Sequence, residues 1–183
     1  MGEALNIHTH LADLEDGVAE IRRSPGDEGT VELIVCRPAE GERRVLTEAT
    51  LDEDQGLIGD GWHARKAPHP GRQLTLMNAR AAALVAGSRE RWPLAGDQLY
   101  VDLDLGEANL PPGTRLGVGS AVVEVTAEPH RGCGKFSRRF GVDAMKFVNS
   151  AVGRELNLRG INAKVVRGGT VRTGDAIRRV PEV

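Results

Sequence analysis

From Asp97 to Ala127 the chain alternates apolar and polar residues and repeatedly stops to turn. In "DQLYVDLDL", Leu99, Val101, Leu103 and Leu105 fall on one face of an extended segment, the period-two pattern of a half-buried strand. "LPPGTRLGVGSAVVEVTA" follows, with turn residues at Pro112-Gly113 and Gly119-Ser120 and short strands on either side. A strand that hides one face must close with others over a shared core. More strands are available. "VELIVCRP" and "RRVLTEATLD" are β-branched and joined by "AEGE", and "LTLM" is a further short strand. "INAKVVRGGTVRTGDAIRRV" reads as two short strands about a Gly168-Gly169 hairpin turn, then a turn at Gly174-Asp175.

Helical periodicity is confined to three stretches. Leu11, Leu14, Val18 and Ile21 recur at spacings of three and four. Asn78 can cap a helix through "ARAAALVAGSRERW", ending near Trp92-Pro93. "VDAMKFVNSAVGRELN" has Asp143 near its start. The pattern predicts a mainly β (α+β) fold, a β-barrel or folded sheet flanked by a few helices. "SPGDEGT" breaks the first helix and sets an N-terminal helical arm, 1–29, apart from a domain, 30–183.

Aromatic residues make up 3% of the chain against 40% hydrophobic residues in all, so the core must be built mostly from Val, Leu, Ile and Ala. The net charge of -2 gives no general reason to expect nucleic acid or an anionic membrane as partner. No window offers the roughly 18 uninterrupted apolar residues of a spanning helix. The start, "MGEALNIHTHLADLEDG", lacks the basic-then-apolar layout of a signal peptide. The expected location is the cytoplasm.

Against this nearly neutral background, "PHRGCGKFSRR" concentrates positive charge around Cys133: His130 and Arg131 before it, Lys135, Arg138 and Arg139 after it. Nearby cations favour the thiolate, the form that attacks electrophiles and binds soft metals. Flanking glycines leave the backbone free for close approach of a ligand. The bland alternative is a loop of merely solvated charges. Arg65, Lys66 and Arg72 crowd another loop, and Lys164 and Arg167 lie near the C-terminal turn. If the fold gathers these beside Cys133, the result is an anion pocket with a thiol in it. His130, three residues before Cys133, is a candidate base. Cys36, in "TVELIVCRP", reads as a small buried hydrophobe. No C-x-x-C or Cys/His metal spacing, phosphate-loop ending or G-x-S-x-G element is present.

The chain resembles a stand-alone MOSC domain, the module named for the C-terminal part of molybdenum-cofactor sulfurases. The matching pieces come in family order: "GLIGDGWH" at Gly56–His63, "RQLTLMN" at Arg72–Asn78, "GDQLYVDLDL" at Gly96–Leu105, "LPPGTRLGVGSAVVEVT" at Leu110–Thr126, "CGKF" at Cys133–Phe136 and "LRGINAKVVRGGTVRTGD" at Leu158–Asp175. The resemblance implies a barrel-like fold of the type shared with the β-domain of pyruvate kinase. It implies that Cys133 stands at the family's defining cysteine, either a ligand to the molybdenum of a bound pterin cofactor or the carrier of a persulfide. It implies a cofactor-binding set of Arg65, Lys66, Arg72, Gln73, Asn78, Gln98, Lys135, Arg138 and Arg139. The sequence departs from relatives at Asp97-Gln98, where a Glu-Asn pair is usual, and at "HRG", where many have proline directly before the cysteine.

Three readings follow. The first is a molybdenum-cofactor (molybdopterin) enzyme that reduces N-hydroxylated compounds with electrons from a separate protein. The second is a persulfide sulfur carrier, loaded by an external sulfur donor. The third is a non-catalytic module that binds an anionic small molecule. All three use the same cationic cysteine segment.

Overall fold

The structure is a computed structural model that describes residues 8–181. Seven strands close into a barrel. In chain order they are β1 (Glu28–Cys36), β5 (Leu74–Asn78), β6 (Leu99–Asp102), β7 (Arg115–Val118), β8 (Ala121–Val125), β9 (Ile161–Arg167) and β11 (Ala176–Arg179). Around the barrel the order is β1-β11-β7-β8-β9-β5-β6, back to β1. Only β5 and β6 run parallel, with Leu76 opposite Leu99. The short β2 (Arg44–Leu46) hangs on the far end of β1. β3 (Glu48–Asp52), β4 (Gly56–Leu57) and β10 (Gly169–Arg172) form a separate three-stranded sheet.

The period-two pattern places the core as expected. Leu99, Val101, Leu103 and Leu105 all join the barrel's apolar cluster, with Leu74, Leu76, Val123 and Ile177. The small sheet adds Ala49, Leu51, Leu57 and Val171 to it. The opposite faces of β1, β5 and β6 are apolar too: Leu33, Val35, Met77 and Tyr100 look outward. Helices cover them. These are α1 (Leu11–Asp16), α2 (Val18–Ile21), α3 (Ala79–Ala86), α4 (Gly134–Phe140), α5 (Val142–Asn149) and α6 (Ala151–Glu155). Leu14, Ile21, Ala82, Val85, Phe136, Phe140 and Phe147 form this second cluster, so the first helical stripe packs on the barrel as its spacing suggested.

Several expectations are corrected. Asn78 caps α3, accepting from the Ala81 amide at 2.9 Å, but the helix stops at Gly87 (φ 75) and gives way to a 3-10 helix over Arg89–Ala95. "VDAMKFVNSAVGRELN" is two helices, because Ser150 ends α5 and caps α6 through the Gly153 amide. Residues 134–140 form α4 rather than a loop. "RRVLTEATLD" splits into β2 and β3, which belong to different sheets. The strands on either side of Gly168-Gly169 do not form a hairpin: β9 pairs with β5 and β8, and β10 pairs with β3. Among the described residues no helix is long and apolar enough to cross a membrane.

Candidate functional site

Cys133 is the residue before the first turn of α4, in an extended conformation. Two features hold it there. Phe136 and Phe140 anchor α4 in the outer cluster, their rings 4.9 Å apart. The preceding peptide is clamped, since the Gly132 amide donates to Asn149 Oδ1 (2.9 Å) and Asn149 Nδ2 donates to the Gly132 carbonyl (3.0 Å). A Cβ on Gly132 would stand 2.8 Å from Val148 Cγ2, so glycine is required for this close approach to α5.

The Cys133 thiol is exposed and its pKa lies below the ordinary thiol value. The backbone amide of Phe136 is the largest cause, burial opposes it, and the Lys135 amide, Arg159 and Arg139 add to it. Cys36 behaves oppositely: it is buried, and burial followed by Asp60 pushes its pKa up.

Cys133 lines a cleft of about 660 Å³ shared with Arg37, Arg43, Arg65, Lys135, Arg139 and Arg159. Four of these arginines are organised by four consecutive carbonyls. At the end of the 3-10 helix, Pro93 O accepts from Arg43 Nε (3.2 Å), Leu94 O from Arg139 Nη1 (2.8 Å), Ala95 O from Arg159 Nη2 (2.8 Å) and Gly96 O from Arg37 Nη1 (2.6 Å). Carbonyls at a helix C-terminus lack helical partners and attract cations. The turn depends on Gly96, whose φ of 93 is left-handed. A Cβ there would lie 3.8 Å from both Arg139 Nη1 and Arg43 Nη2, so two guanidinium groups converge on one point. Burial first, then Arg139 and Arg37, pull the Arg43 pKa down.

Two of the four arginines are balanced from behind. Arg37 grips Asp60 through Nε and Nη2, both at 3.0 Å. Arg159 donates to Asp97 Oδ2 at 2.6 Å and stacks 5.0 Å over the Phe136 ring. Arg43 and Arg139 have backbone partners and no ion pair among the described residues. At the mouth, Lys135 Nζ meets the exposed Glu40 at 2.6 Å.

A second cleft, of about 490 Å³, shares Arg37, Arg65, Gly96 and Arg159 with the first. Arg65, Arg72, Arg131 and His130 line it. His130 is mostly buried, with Nε2 3.7 Å from Asp97 Oδ1. Burial first, then Arg159, depress its pKa to about 4, outweighing Asp97, so the imidazole is neutral at pH 7. Among the described residues no hydrogen bond joins His130 to Cys133; the thiolate is favoured by amides and arginines instead.

These features meet in a barrel with known counterparts. The MOSC domain model matches residues 64–178. The chain belongs to the MOSC family. In fold it is similar to the YuaD protein from Bacillus subtilis, at 17% identity and a TM-score of 0.62, over 85% of this chain and 97% of that one. YiiM from Escherichia coli aligns at 23% identity and a TM-score of 0.55, over 84% of this chain and 71% of that one. YiiM from Geobacillus stearothermophilus aligns at 14% identity and a TM-score of 0.58, over 84% and 75%. No curated protein matches the sequence.

Within this MOSC barrel the residues singled out from sequence separate into three groups. Cys133, Lys135, Arg139 and Arg65 line the first cleft; Arg65, Arg72 and His130 line the second. Lys66 and Arg138 are exposed and line neither. Gln73, Gln98 and Asn78 are buried and engaged in the core. Gln73 bridges the Glu53 carbonyl and the Val165 amide, Gln98 accepts from Thr75, and Asn78 donates to Ser24 and Leu103 as well as capping α3. Their side chains hold strands and helix together and line neither cleft. Lys164 pairs with Glu124 at 3.0 Å; neither it nor Arg167 lines either cleft. Arg37, Arg43 and Arg159 were missed. Arg37 and Arg159 are lone basic residues beside Pro38 and Gly160, Arg43 has only Arg44 for company, and no local spacing marks any of them. Arg37 and Arg43 also precede the span of the family match.

Proposed function

We propose that this MOSC protein binds an anionic molybdenum–pterin cofactor in the Cys133 cleft, with Cys133 as its thiolate ligand. One observation carries the reading: a cysteine with a depressed pKa opens into a cleft whose wall is four arginines fixed on the Pro93–Gly96 carbonyls. The donor set fits. Cys133 is a soft ligand, and among the described residues no group of three or more His, Cys, Asp or Glu converges. A metal here needs most of its ligands from a chelating cofactor, and Cys133 completes the set. Arg43 and Arg139, without carboxylate partners, would hold the anionic part, and Phe136 offers an apolar face. Bound there, the cofactor would supply a redox-active metal with an open coordination position, the requirement for reducing an N-hydroxylated compound.

The exposure of Cys133 favours a second reading, a persulfide carrier, since sulfur transfer needs an accessible low-pKa thiol and nothing more. One preparation separates the two. Protein purified from a host that makes the cofactor should contain stoichiometric molybdenum and pterin. An intact mass increased by one sulfur at Cys133, without metal, would favour the carrier.

A further inference from the structure

Residues 37–41 and 43, in the turn from β1 into β2, all line the Cys133 cleft. The turn is fixed at its ends. Arg37 is held by Asp60 and the Gly96 carbonyl, the Gly61 amide donates to the Arg37 carbonyl at 2.8 Å, and Arg43 Nε holds the Pro93 carbonyl. The tip is not fixed in this way. Gly41 stands in open space, where an added Cβ would meet nothing within 4 Å. The Glu42 amide closes the turn on the Ala39 carbonyl, and the Glu42 carboxylate pairs with the neighbouring Arg44. Among the described residues the tip has one polar tie beyond its own hairpin, from Glu40 to Lys135 at 2.6 Å. Glu40 is 87% exposed and Lys135 58%, so the pair stands in water and breaks easily. Lys135 is the lining cation nearest to Cys133 in sequence, two residues on. Two carboxylates line this cleft, Asp60 and Glu40. Asp60 is buried and committed to Arg37, whereas Glu40 rides on a tip that is free to leave.

We propose that Glu40 is a built-in competitor for anions at the Cys133 cleft, an autoinhibitory latch. Paired with Lys135, it ties the turn to α4 and lessens the pull of the cleft on an arriving anion. An anionic ligand releases the latch by taking Lys135 over, and the tip then moves into solvent. Lys135 exchanges one anionic partner for another in this step, so the opening leaves no cation unpaired. A neutral molecule has nothing to offer Lys135 and leaves the latch shut. The latch rests on the reading of this cleft as an anion site and adds its regulation: entry is selected by charge at a turn outside the arginine wall's carbonyl scaffold.

The test uses the full-length, cofactor-free protein at one fixed pH and ionic strength. Peptide mapping gives the rate at which Cys133 is alkylated by iodoacetate, which is anionic, and by iodoacetamide, which is neutral and of similar size. The ratio of the two rates cancels the thiolate fraction and reports the charge that an arriving anion meets. Glu40→Gln should raise the ratio by about two- to fourfold, the range an exposed ion pair carries. Lys135→Gln should lower it. In a Lys135→Gln background, Glu40→Gln should change the ratio by less than about 1.5-fold, because an unlatched Glu40 stands out in water. Glu42→Gln removes an equal charge from the same turn, but from a pair with Arg44, and should also stay below about 1.5-fold. An unchanged ratio in Glu40→Gln overturns the proposal. So does an undiminished effect in the double variant, or an equal effect in Glu42→Gln, since either would make Glu40 an ordinary surface charge. Arg43→Gln tests the underlying reading separately. A ratio unmoved by Arg43→Gln would refute the arginine wall as an anion site. A ratio lowered by Arg43→Gln beside an inert Glu40→Gln would refute the latch alone.

Discussion

Arg159 Nη1 lies 2.6 Å from Asp97 Oδ2, with the two side chains 9% and 0% exposed. This ion pair is the hinge between the clefts. Its guanidinium also holds the Ala95 carbonyl, covers Phe136 and acts on both the Cys133 thiol and the His130 imidazole. Asp97 is thus the acid that balances an arginine buried in the wall of the Cys133 cleft.

Removing either partner should be costly, because the other stays buried with its charge uncompensated. Asp97→Asn and Arg159→Met are each expected to lose about 3 kcal/mol in a denaturant melt. The double variant should lose well under the sum, since neither charge remains. Simple additivity would mean that the pair contributes no coupling.

His130 gives a pH signature. Its folded pKa of about 4 lies below the ordinary 6.5, so folding favours the neutral form. Its contribution is fully present above about pH 6.5 and is lost as pH falls toward about 4, a loss on the order of 2–3 kcal/mol. The charged groups acting on it are Arg159, Asp97, Arg37 and Arg72. Melts between these pH values should show His130→Gln with a flatter profile than the parent. An identical slope would place the proton uptake elsewhere.

The barrel was legible because its signal is local. Leu99 to Leu105 alternate, and an alternating segment has one place to put its apolar face. The partner of β10 was not legible, since Gly168-Gly169 permits a hairpin and only the distant β3 decides otherwise. The site divides along the same line. Cys133 announces itself through its neighbours in sequence, whereas the arginine wall is assembled from residues 37, 43, 139 and 159 by carbonyls of an unremarkable "PLAG". Even the thiol's activation came chiefly from a backbone amide, which composition cannot reveal.

The two cysteines should differ in reactivity under native conditions. Cys133 is exposed with a lowered pKa, and Cys36 is buried with a raised one. Limited alkylation with peptide mapping should label Cys133 first. Its rate should level off at a pH below about 8.5, the free-thiol value. Preferential labelling of Cys36 would contradict the assignment.

Arg43 and Arg139 separate binding from stability. Each holds only backbone carbonyls and crowds another cation. Arg43→Gln should change stability by no more than about 1 kcal/mol, as other substitutions away from the core do. It should lower cofactor content markedly, and added salt should weaken loading of the parent in the same direction. Full loading in the variant would make the wall a solvated surface.

Cys133→Ser tests chemistry against fold. Serine is close in size, but it is a poor soft-metal ligand and cannot form a persulfide. The thiol is exposed, and α4 is held by Phe136, Phe140 and the Gly132–Asn149 clamp instead. The stability change should stay within about 1 kcal/mol. Serine is also a good residue to precede a helix, so the change does not weaken the start of α4. The variant should therefore fold normally and lose molybdenum, or sulfur loading, whichever the parent carries. A denaturant melt and the metal, pterin and sulfur content of matched preparations decide it. Easy unfolding would make Cys133 a packing residue. Normal folding with full cofactor content would mean that the arginine wall alone retains the ligand and that the thiol is incidental.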